Sequence, residues 1–285
     1  GQSLGLEQEG GIHICLSQAE FDDRKEMLDL LRSHQNGRFS YEMLDRKALL
    51  DIQPDLGPDV VGGSWCQHDG HVNPLYLLRS LHDCLLKKGS TVIVDAEVSI
   101  ITYQQSLFDV TSKQGRFYAP RLILAAGLGN RALAPMVGLE QPVRPQKGHI
   151  LVTQKTDKLI KLPMTQLRQT AEGSIMIGDS KEEVGFDISS SADVTAQIAS
   201  RAQRTLPALK NQHIIRSWAA LRVMSPDGNP IYDQSASHPG AYAITCHSGV
   251  TLAAAHCFDL ASDIEAGCLG IGLQPFSERR FHVPA

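Results

Sequence analysis

Hydrophobic residues recur at helical spacing in several parts of the chain. Over residues 21–33 and 73–88, apolar side chains return every third or fourth position, which predicts two amphipathic helices. Asn73 and Pro74 mark the start of the second helix, because Asn is a favoured N-cap and Pro fits the first helical turn. Similar patterns predict helices over 40–52, 127–137, 192–204 and 249–266.

Short runs of apolar and β-branched residues predict the strands. Residues 121–126 form an apolar run before a glycine turn, which is typical of a buried strand. Residues 98–103 and 107–111 alternate between apolar and polar positions, which predicts half-buried strands. Further strands are predicted over 90–94, 149–153, 162–169, 174–178, 214–222 and 241–245. Because helices and strands are mixed along the chain, we expect an α/β or α+β fold with one nucleotide-type half and one mixed-sheet half.

Composition and charge narrow the class of protein. The chain has 285 residues, 42% of them hydrophobic and 20% charged, which suits about two globular domains. The net charge of −4 argues against nucleic acid as a partner, since phosphate binding needs clustered positive charge. No apolar run approaches the roughly 18 residues that a membrane-spanning helix needs, so none is predicted.

The six cysteines show no metal-binding pattern. They form no Cys-x-x-Cys pair, and their spacings match neither a zinc site nor an iron–sulfur site. A chain of this length does not need disulfides to be stable, so we expect free, mostly buried thiols in a reducing compartment.

One glycine-rich turn offers a nucleotide-binding interpretation. Residues 127–132 match Gly-x-Gly-x-x-Ala between a predicted strand and a predicted helix. The acidic residue expected about 20 positions later is missing, which weakens the match to a dinucleotide fingerprint. A tight strand-to-helix turn therefore stands as the alternative to a dehydrogenase that uses a nicotinamide cofactor.

The segment from Cys246 to Thr251 has similar features. A predicted strand ends there, Gly249 allows close approach of the backbone, and Ser248 is a plausible N-cap for the following helix. The free backbone N–H groups of such a helix start would suit an anion or a polarised carbonyl group. An ordinary capped helix is the alternative.

An arginine stands at the end of another predicted strand. Arg222 closes an apolar strand just before a Pro-Asp-Gly turn at 226–228. Half-burying a guanidinium is costly without an anionic partner. The anionic partner of Arg222 could equally be a substrate carboxylate or an acidic side chain in an internal salt bridge.

Six segments occur in a fixed order that is more specific than any one of them. Together they resemble the D-amino acid oxidase superfamily of FAD-dependent oxidoreductases, in the branch of D-hydroxyproline dehydrogenase, the hydrogen cyanide synthase flavin subunit and opine oxidase flavoproteins. The resemblance covers nearly the whole chain. The segments are Asp-Gly-His-Val-Asn-Pro (69–74), Leu-Ile-Leu-Ala-Ala-Gly (122–127), Pro-x-Lys-Gly-His (145–149), Ile-Gly-Asp-Ser (177–180), Leu-Arg-x-x-x-Pro-Asp-Gly-x-Pro (221–230) and His-Ser-Gly-Val-Thr-Leu-Ala (247–253).

The resemblance also implies a domain organisation. The family's opening strand, Gly-x-Gly-x-x-Gly turn and helix have no match here, so the chain corresponds to about the C-terminal three-quarters of such a flavoprotein. It implies an incomplete FAD-binding, Rossmann-like domain and a mixed or antiparallel-sheet substrate domain, both discontinuous in sequence. The implied ranges are 1–68 and 143–221 for the substrate domain, 69–142 and 222–270 for the FAD-binding part, and 271–285 for a C-terminal tail.

The resemblance assigns FAD contacts to particular positions. It places Glu97 and Val98 near the adenine, and it implies that FAD is bound non-covalently, because Ala220 stands where the sarcosine oxidase branch has a flavin-linked Cys. One short segment would line the ribose and pyrophosphate: Ala125, Ala126 and Gly127. A second would present backbone N–H groups to the flavin pyrimidine edge: Ser248, Gly249, Val250, Thr251 and Leu252.

The resemblance implies oxidation of an amine α to a carboxylate, by hydride transfer to flavin N5 and hydrolysis of the resulting imine. Arg222 would pair with the substrate carboxylate; Arg168 and His149 are weaker substrate candidates, and His71 is weaker still. D-Hydroxyproline, other D-amino acids, glycine and opines all remain open as substrates.

The branch implies partners as well as chemistry. Relatives work with small iron–sulfur and second flavoprotein subunits, which favours a dehydrogenase over an oxidase. We expect a cytoplasmic protein, or one held at the inner membrane face through partner subunits. The competing hypothesis is a truncated, non-catalytic fragment or a binding subunit that does not hold FAD.

Overall fold

The computed structural model describes residues 4–282, so the ends of the predicted substrate domain and tail, at 1–3 and 283–285, lie outside the described residues. The chain divides into two compact units, each discontinuous in sequence. Unit 1 comprises Gly1–Thr91, Gly148–Lys181 and Ile188–Ala220, and unit 2 comprises Val92–Lys147, Glu182–Asp187 and Leu221–Ala285.

Thirteen strands form in the described part of the chain. They are β1 (Gly11–Cys15), β2 (Glu42–Asp45), β3 (Gly62–Cys66), β4 (Val98–Gln104), β5 (Leu107–Ser112), β6 (Gly115–Ala119), β7 (Leu122–Leu124), β8 (Arg144–Lys155), β9 (Leu167–Gln169), β10 (Ser174–Ile177), β11 (Ile214–Met224), β12 (Ile231–Gln234) and β13 (Ala241–Thr245).

Helices lie between these strands. They are α1 (Gln18–His34), α2 (Arg46–Ile52), α3 (Pro74–Lys87), α4 (Asn130–Leu133), α5 (Ala192–Thr205), α6 (Ala253–Ala255) and α7 (Ala261–Ala266), with a π-helical turn at His256–Leu260. Five short 3₁₀ segments complete the helical structure described, at Gly127–Gly129, Ala134–Val137, Pro207–Asn211, Ile271–Phe276 and Glu278–Phe281.

Unit 1 contains two sheets around one apolar core. In the first sheet, β3 lies between β1 and β2 and pairs antiparallel with both. Gly63 is required there, because a Cβ atom would come within 2.1 Å of the His13 carbonyl oxygen. The second sheet has the strand order β11-β8-β10-β9. The core brings residues of both sheets together with Ile198 and Ala202 of α5.

The register of the second sheet separates its side chains onto two faces. Met176 of β10 stands opposite Val152 of β8 and Arg168 of β9. Because side chains alternate along a strand, Leu151 and Ile177 point to the other face, where both are buried in the core. We call the half-buried face that carries Arg168, Met176 and Val152 the open face of this sheet.

Unit 2 also contains two sheets. Strands β4, β5 and β6 form an antiparallel meander. In the other sheet β13 pairs antiparallel with β12 and parallel with β7, with Ala243 opposite Leu124. The fully buried Phe108 and Leu124 belong to one cluster that joins these strands.

Most predicted elements are present, with four local corrections. The predicted helix over 40–52 is a strand, β2, followed by the shorter helix α2, because Asp45 caps a helix that starts at Arg46. The predicted strand over 90–94 is an exposed loop, since no described strand pairs with it. The predicted strands over 121–126 and 162–169 shrink to β7 and β9.

The cysteines and the helices complete the comparison with the sequence. All six cysteines are free, but the expectation that most are buried is wrong: Cys84, Cys257 and Cys268 are exposed. None of the helices in residues 4–282 is both long and apolar enough to cross a lipid bilayer.

Candidate functional site

Two short loops of unit 2 lie side by side because their strands run parallel. Residues 125–127 follow β7, and residues 246–252 follow β13, its parallel neighbour. The carboxyl ends of adjacent parallel strands meet at one sheet edge, where open α/β sheets bind their ligands. The pairing therefore brings together two segments that are more than one hundred residues apart in sequence.

Asn130 holds this arrangement in place. Its side chain is fully buried, and Nδ2 donates to the Leu124 carbonyl at 3.1 Å, the Ile244 carbonyl at 3.1 Å and Thr245 Oγ1 at 2.8 Å. Its Oδ1 accepts from the Ala126 amide at 2.9 Å. One amide side chain thus ties the ends of both strands together. The sequence analysis missed this residue, although an Asn just after a glycine turn offered a weak signal.

The second loop presents a row of backbone donors. The N–H groups of Gly249, Val250 and Thr251 have no acceptor within the described residues, and all three residues are exposed. The first hydrogen bond of the following turn runs from the Leu252 amide to the Ser248 carbonyl, at 3.0 Å. Three consecutive unpaired donors suit an electron-rich group such as a carbonyl edge or an anion.

Ser248 does not play the capping role expected of it. The helix begins at Ala253, four residues later than the position that Ser248 would cap, and its N-cap Leu252 has no side-chain cap. The Ser248 hydroxyl instead lies 3.1 Å from His247 Nδ1. Residues 249–252 form turns rather than a helix, which is why their N–H groups stay available.

The first loop is a tight turn. Gly127 adopts a φ of +58°, a left-handed conformation that favours glycine, and residues 127–129 form a 3₁₀ turn. Helix α4 has only four residues, too few for the anion-binding N-terminus of a dinucleotide fingerprint. Among the two interpretations of 127–132, the geometry therefore favours the turn.

The adenine candidates lie on the meander. Val98 begins β4 and packs against the cluster that contains Leu124. Glu97 is exposed and forms an ion pair with Lys113 on the neighbouring turn. Val98 is therefore close in structure to the strand that leads to Gly127, whereas Glu97 faces solvent.

Arg222 lies in unit 2 near the end of β11. It is half-buried, and its Nη1 donates to the Lys147 carbonyl at 3.3 Å. The buried Lys147 is itself paired with Glu182 at 3.4 Å and Asp187 at 3.1 Å. This acid-paired lysine, which the sequence analysis missed, supports the backbone that Arg222 contacts.

The structure separates Arg168 from His149. Arg168 lies on the open face of the sheet in unit 1, whereas His149 is 1% exposed and shares the buried face with Leu151. The His149 amide donates to Ser180 Oγ at 2.9 Å. The two candidates therefore lie on opposite faces of the sheet, because successive side chains of β8 alternate between the open face and the core. Their roles toward a substrate stay predictions.

A buried tyrosine lies on the strand next to β13, in the same sheet as the two loops. Tyr232 of β12 is buried, and its hydroxyl is 2.8 Å from His256 Nε2 in the π-helical turn. Burial raises the pKa of the Tyr232 phenol to about 12 and lowers the pKa of His256. The phenol therefore stays protonated at neutral pH.

Comparisons with known proteins agree on one family. The family model described as "FAD dependent oxidoreductase" matches residues 1–262. An opine oxidase subunit of Agrobacterium tumefaciens (strain Ach5) is 43% identical over 284 residues, covering 99% of this chain and 76% of that protein. Hydrogen cyanide synthase subunit HcnC of Pseudomonas protegens is 29% identical over 248 residues, covering 84% of this chain and 59% of that protein.

A solved structure shares the fold. Glycine oxidase from Geobacillus kaustophilus superposes with a TM-score of 0.88 at 22% identity, covering 96% of this chain and 75% of that chain. At this identity the likeness concerns the fold, which both chains share over nearly the full length of this one.

Proposed function

The chain belongs to the FAD dependent oxidoreductase family, and on this premise we propose that it oxidises the carbon–nitrogen bond of a small amino acid or opine. The relative with 43% identity is named as part of an opine oxidase, which supports a substrate of amino-acid type. D-Hydroxyproline, other D-amino acids and glycine belong to the same class and are tested alongside opines below.

The observation that carries the proposal is the pair of loops after β7 and β13. Their backbone fits FAD: Gly127 leaves room for close approach, and Gly249, Val250 and Thr251 offer unpaired N–H groups. We assign Ala125, Ala126 and Gly127 to the ribose and pyrophosphate, and Ser248 to Leu252 to the flavin pyrimidine edge. We assign Val98, which packs against the cluster that contains Leu124, to the adenine.

When bound, FAD supplies the electron-accepting chemistry that no amino-acid side chain provides. The protein's own residues bind and orient. Backbone donors at 249–251 would stabilise negative charge on the ring edge that they face. We propose non-covalent binding, because Ala220 offers no nucleophile at the position where related enzymes attach their flavin.

Arg222 is assigned to the substrate carboxylate. A guanidinium can donate two parallel hydrogen bonds to a carboxylate, which fixes the orientation of the α-carbon as well as binding it. Its contact with the Lys147 carbonyl and the acid pairs around Lys147 restrict its movement.

Partner subunits belong to the proposal. Two relatives are named as subunits, of opine oxidase and of hydrogen cyanide synthase. We propose that this chain likewise works with further subunits, of the iron–sulfur and second flavoprotein kinds, which would pass electrons to an acceptor other than oxygen. A cytoplasmic location, free or at the inner membrane face, fits such an assembly.

Flavin binding and reduction test the proposal directly. Purified protein, with FAD added and the excess removed, should show flavin absorbance, and denaturation should release the flavin into solution. Anaerobic addition of a substrate should bleach the absorbance of the bound flavin. The panel is D-hydroxyproline, D-proline, glycine and an opine, with NADH as a control for the nicotinamide alternative. Protein that takes up no FAD would instead support the hypothesis of a non-catalytic fragment.

Variants of β11 test the role of Arg222. Arg222→Ala should raise KM and lower kcat/KM by an amount worth roughly 2–5 kcal/mol, since it leaves a carboxylate unpaired. The exposed Arg216 on the same strand is the matched control, and Arg216→Ala should leave kcat/KM near the wild-type value. An unchanged kcat/KM in Arg222→Ala would remove Arg222 from the substrate site.

A further inference from the structure

Arg168 forms no ion pair with an acidic side chain of the described residues, 4–282. On the open face of the sheet in unit 1, Nη2 donates to Met176 Sδ at 2.9 Å and Nη1 lies 3.5 Å from His71 Nδ1. Within residues 4–282, no carboxylate oxygen is within 4.0 Å of its guanidinium nitrogens. Burial lowers the pKa of this guanidinium and the more distant Glu172 raises it, the net direction being downward.

Two acids in this region, Glu172 and Glu7, have partners other than Arg168. Glu172 accepts from the Tyr76 hydroxyl at 3.1 Å, and Glu7 lies 3.3 Å from His71 Nε2. Both carboxylates therefore have other partners, and neither forms an ion pair with the Arg168 guanidinium.

His71 can only act as an acceptor toward Arg168. A guanidinium has donors and no acceptor, so a hydrogen bond here runs from Arg168 Nη1 to His71 Nδ1, the two atoms being 3.5 Å apart. On the other side of the ring, His71 Nε2 lies 3.3 Å from a Glu7 carboxylate oxygen, and contacts at both nitrogens hold the ring in one orientation. The imidazole restricts the guanidinium but supplies no negative charge to it.

The surroundings of Arg168 are apolar on one side. Met176 and Val152 lie next to it on the open face, in register across three strands, and both are half-buried. A fixed cation at the edge of an apolar surface matches an anionic group attached to a hydrocarbon body.

We propose that Arg168, oriented by His71, binds a carboxylate that is joined to a hydrocarbon body, on the open face of the sheet in unit 1. Arg168 is the binding residue in this scheme, and His71 is a positioning residue.

Met176 provides a local probe that is independent of turnover. With 13C-labelled methionine methyl groups in the FAD-loaded protein, isovalerate should shift the Met176 signal saturably, whereas its neutral amide should not. The signal is assigned with Met176→Leu. Arg168→Gln should weaken isovalerate binding about tenfold or more, as expected for hydrogen bonds to a charged group. Arg168→Lys should weaken it less.

Two control variants separate this site from other cations. Lys158 lines a cavity that His71 also lines. Lys158→Gln removes this positive charge and leaves Arg168 in place, so the isovalerate titration of the Met176 signal should be unchanged. Arg222→Ala should also leave the Met176 shift in place. His71→Phe should weaken binding while Arg168 remains present.

The outcomes are distinguishable from those of the flavin experiment. A Met176 shift that keeps its affinity in Arg168→Gln, or that is lost only in Arg222→Ala, would overturn the inference and leave the oxidase chemistry intact. No shift in the wild type would also overturn it. If isovalerate shifts the Met176 signal as expected but no amino acid of the panel reduces the flavin, the anion site is retained and the proposed function is rejected. If Arg168→Gln does not fold, Arg168→Lys gives the deciding comparison.

Discussion

Helices α3 and α5 are equally long but differ in what their apolar faces contact. Each has 14 residues and an apolar stripe, yet α5 buries Ile198, Ala202 and Thr205, whereas α3 buries none of its residues. Leu75 is 73% exposed and Leu78 is 65% exposed. Among residues 4–282, nothing covers this face of α3, so its hydrophobic pattern contributes little to the stability of the described fold.

The difference shows that an amphipathic pattern specifies a helix and its apolar side, but not the partner of that side. In α5 the stripe meets Leu151, Ile175 and Leu206 in the core of unit 1. In α3 the helix is held by its Asn73 cap and by backbone bonds around Glu7 and His71. Substitutions that compare these two helices can break or sharpen this contrast.

The largest difference should come from core truncation. Ile198→Ala should lower the free energy of unfolding by about 2–4 kcal/mol, because it removes buried methylenes and leaves a cavity. Leu78→Ala on α3 is the matched variant and should change the free energy of unfolding by no more than about 0.5 kcal/mol. Urea denaturation measures both. Equal losses would mean that the face of α3 is covered in solution.

The helix caps should have an intermediate effect. Asn73 Oδ1 accepts from the amides of Leu75 at 3.1 Å and Tyr76 at 3.3 Å, and Ser191 Oγ accepts from the Val194 amide at 3.5 Å. Asn73→Ala and Ser191→Ala should each cost about 1 kcal/mol of local helix stability.

Amide hydrogen exchange separates the two caps. Because packing does not hold α3, Asn73→Ala should speed exchange along the whole helix, whereas Ser191→Ala should affect only the first turn of α5. Exchange confined to the first turn in both variants would show that α3 is as firmly packed as α5.

The smallest effect concerns pH. Hydrogen bonds from Arg201 on α5 hold the pKa of Glu20 down to about 2, although burial opposes the shift. Since this pKa is lower than in the unfolded chain, the pair stabilises the fold above about pH 4.5, and the contribution is lost as the pH falls towards 2. Both side chains are about one-third exposed, so solvent screening keeps the effect modest.

Glu20→Gln tests this dependence. The variant should flatten the fall in unfolding free energy between about pH 4.5 and 2, as followed by thermal denaturation. The exposed Lys25–Asp29 pair within α1 has no partner on α5, and Asp29→Asn should leave the acid transition closer to that of the wild type. If the acid transition of Glu20→Gln is identical to that of the wild type, the Glu20–Arg201 pair does not contribute to the pH dependence of stability.

Local signals in the sequence predicted much of the fold. The cap at Asn73, the tight turn at Gly127, which was one of two interpretations, and the strand over 241–245 follow from residue types at short range, and the structure has all three. The predicted strand over 90–94 failed for the opposite reason: a strand needs a hydrogen-bonded neighbour, and β propensity does not supply one.

The candidate site was only partly predictable. The resemblance pointed to the loops at 125–127 and 248–252, but not to Asn130, whose four hydrogen bonds join them. Nor did the spacing of Arg168 and His149 indicate that β-sheet register would turn one outward and bury the other.

Short-range chemistry along the chain determined its family, its helix caps and its glycine turns, because these depend on neighbouring residues. Tertiary structure alone decided which faces were buried, which loops met and which cations stayed unpaired. Those outcomes depend on strand register and on contacts between residues such as Asn130 and Ile244, 114 positions apart, for which no local pattern exists.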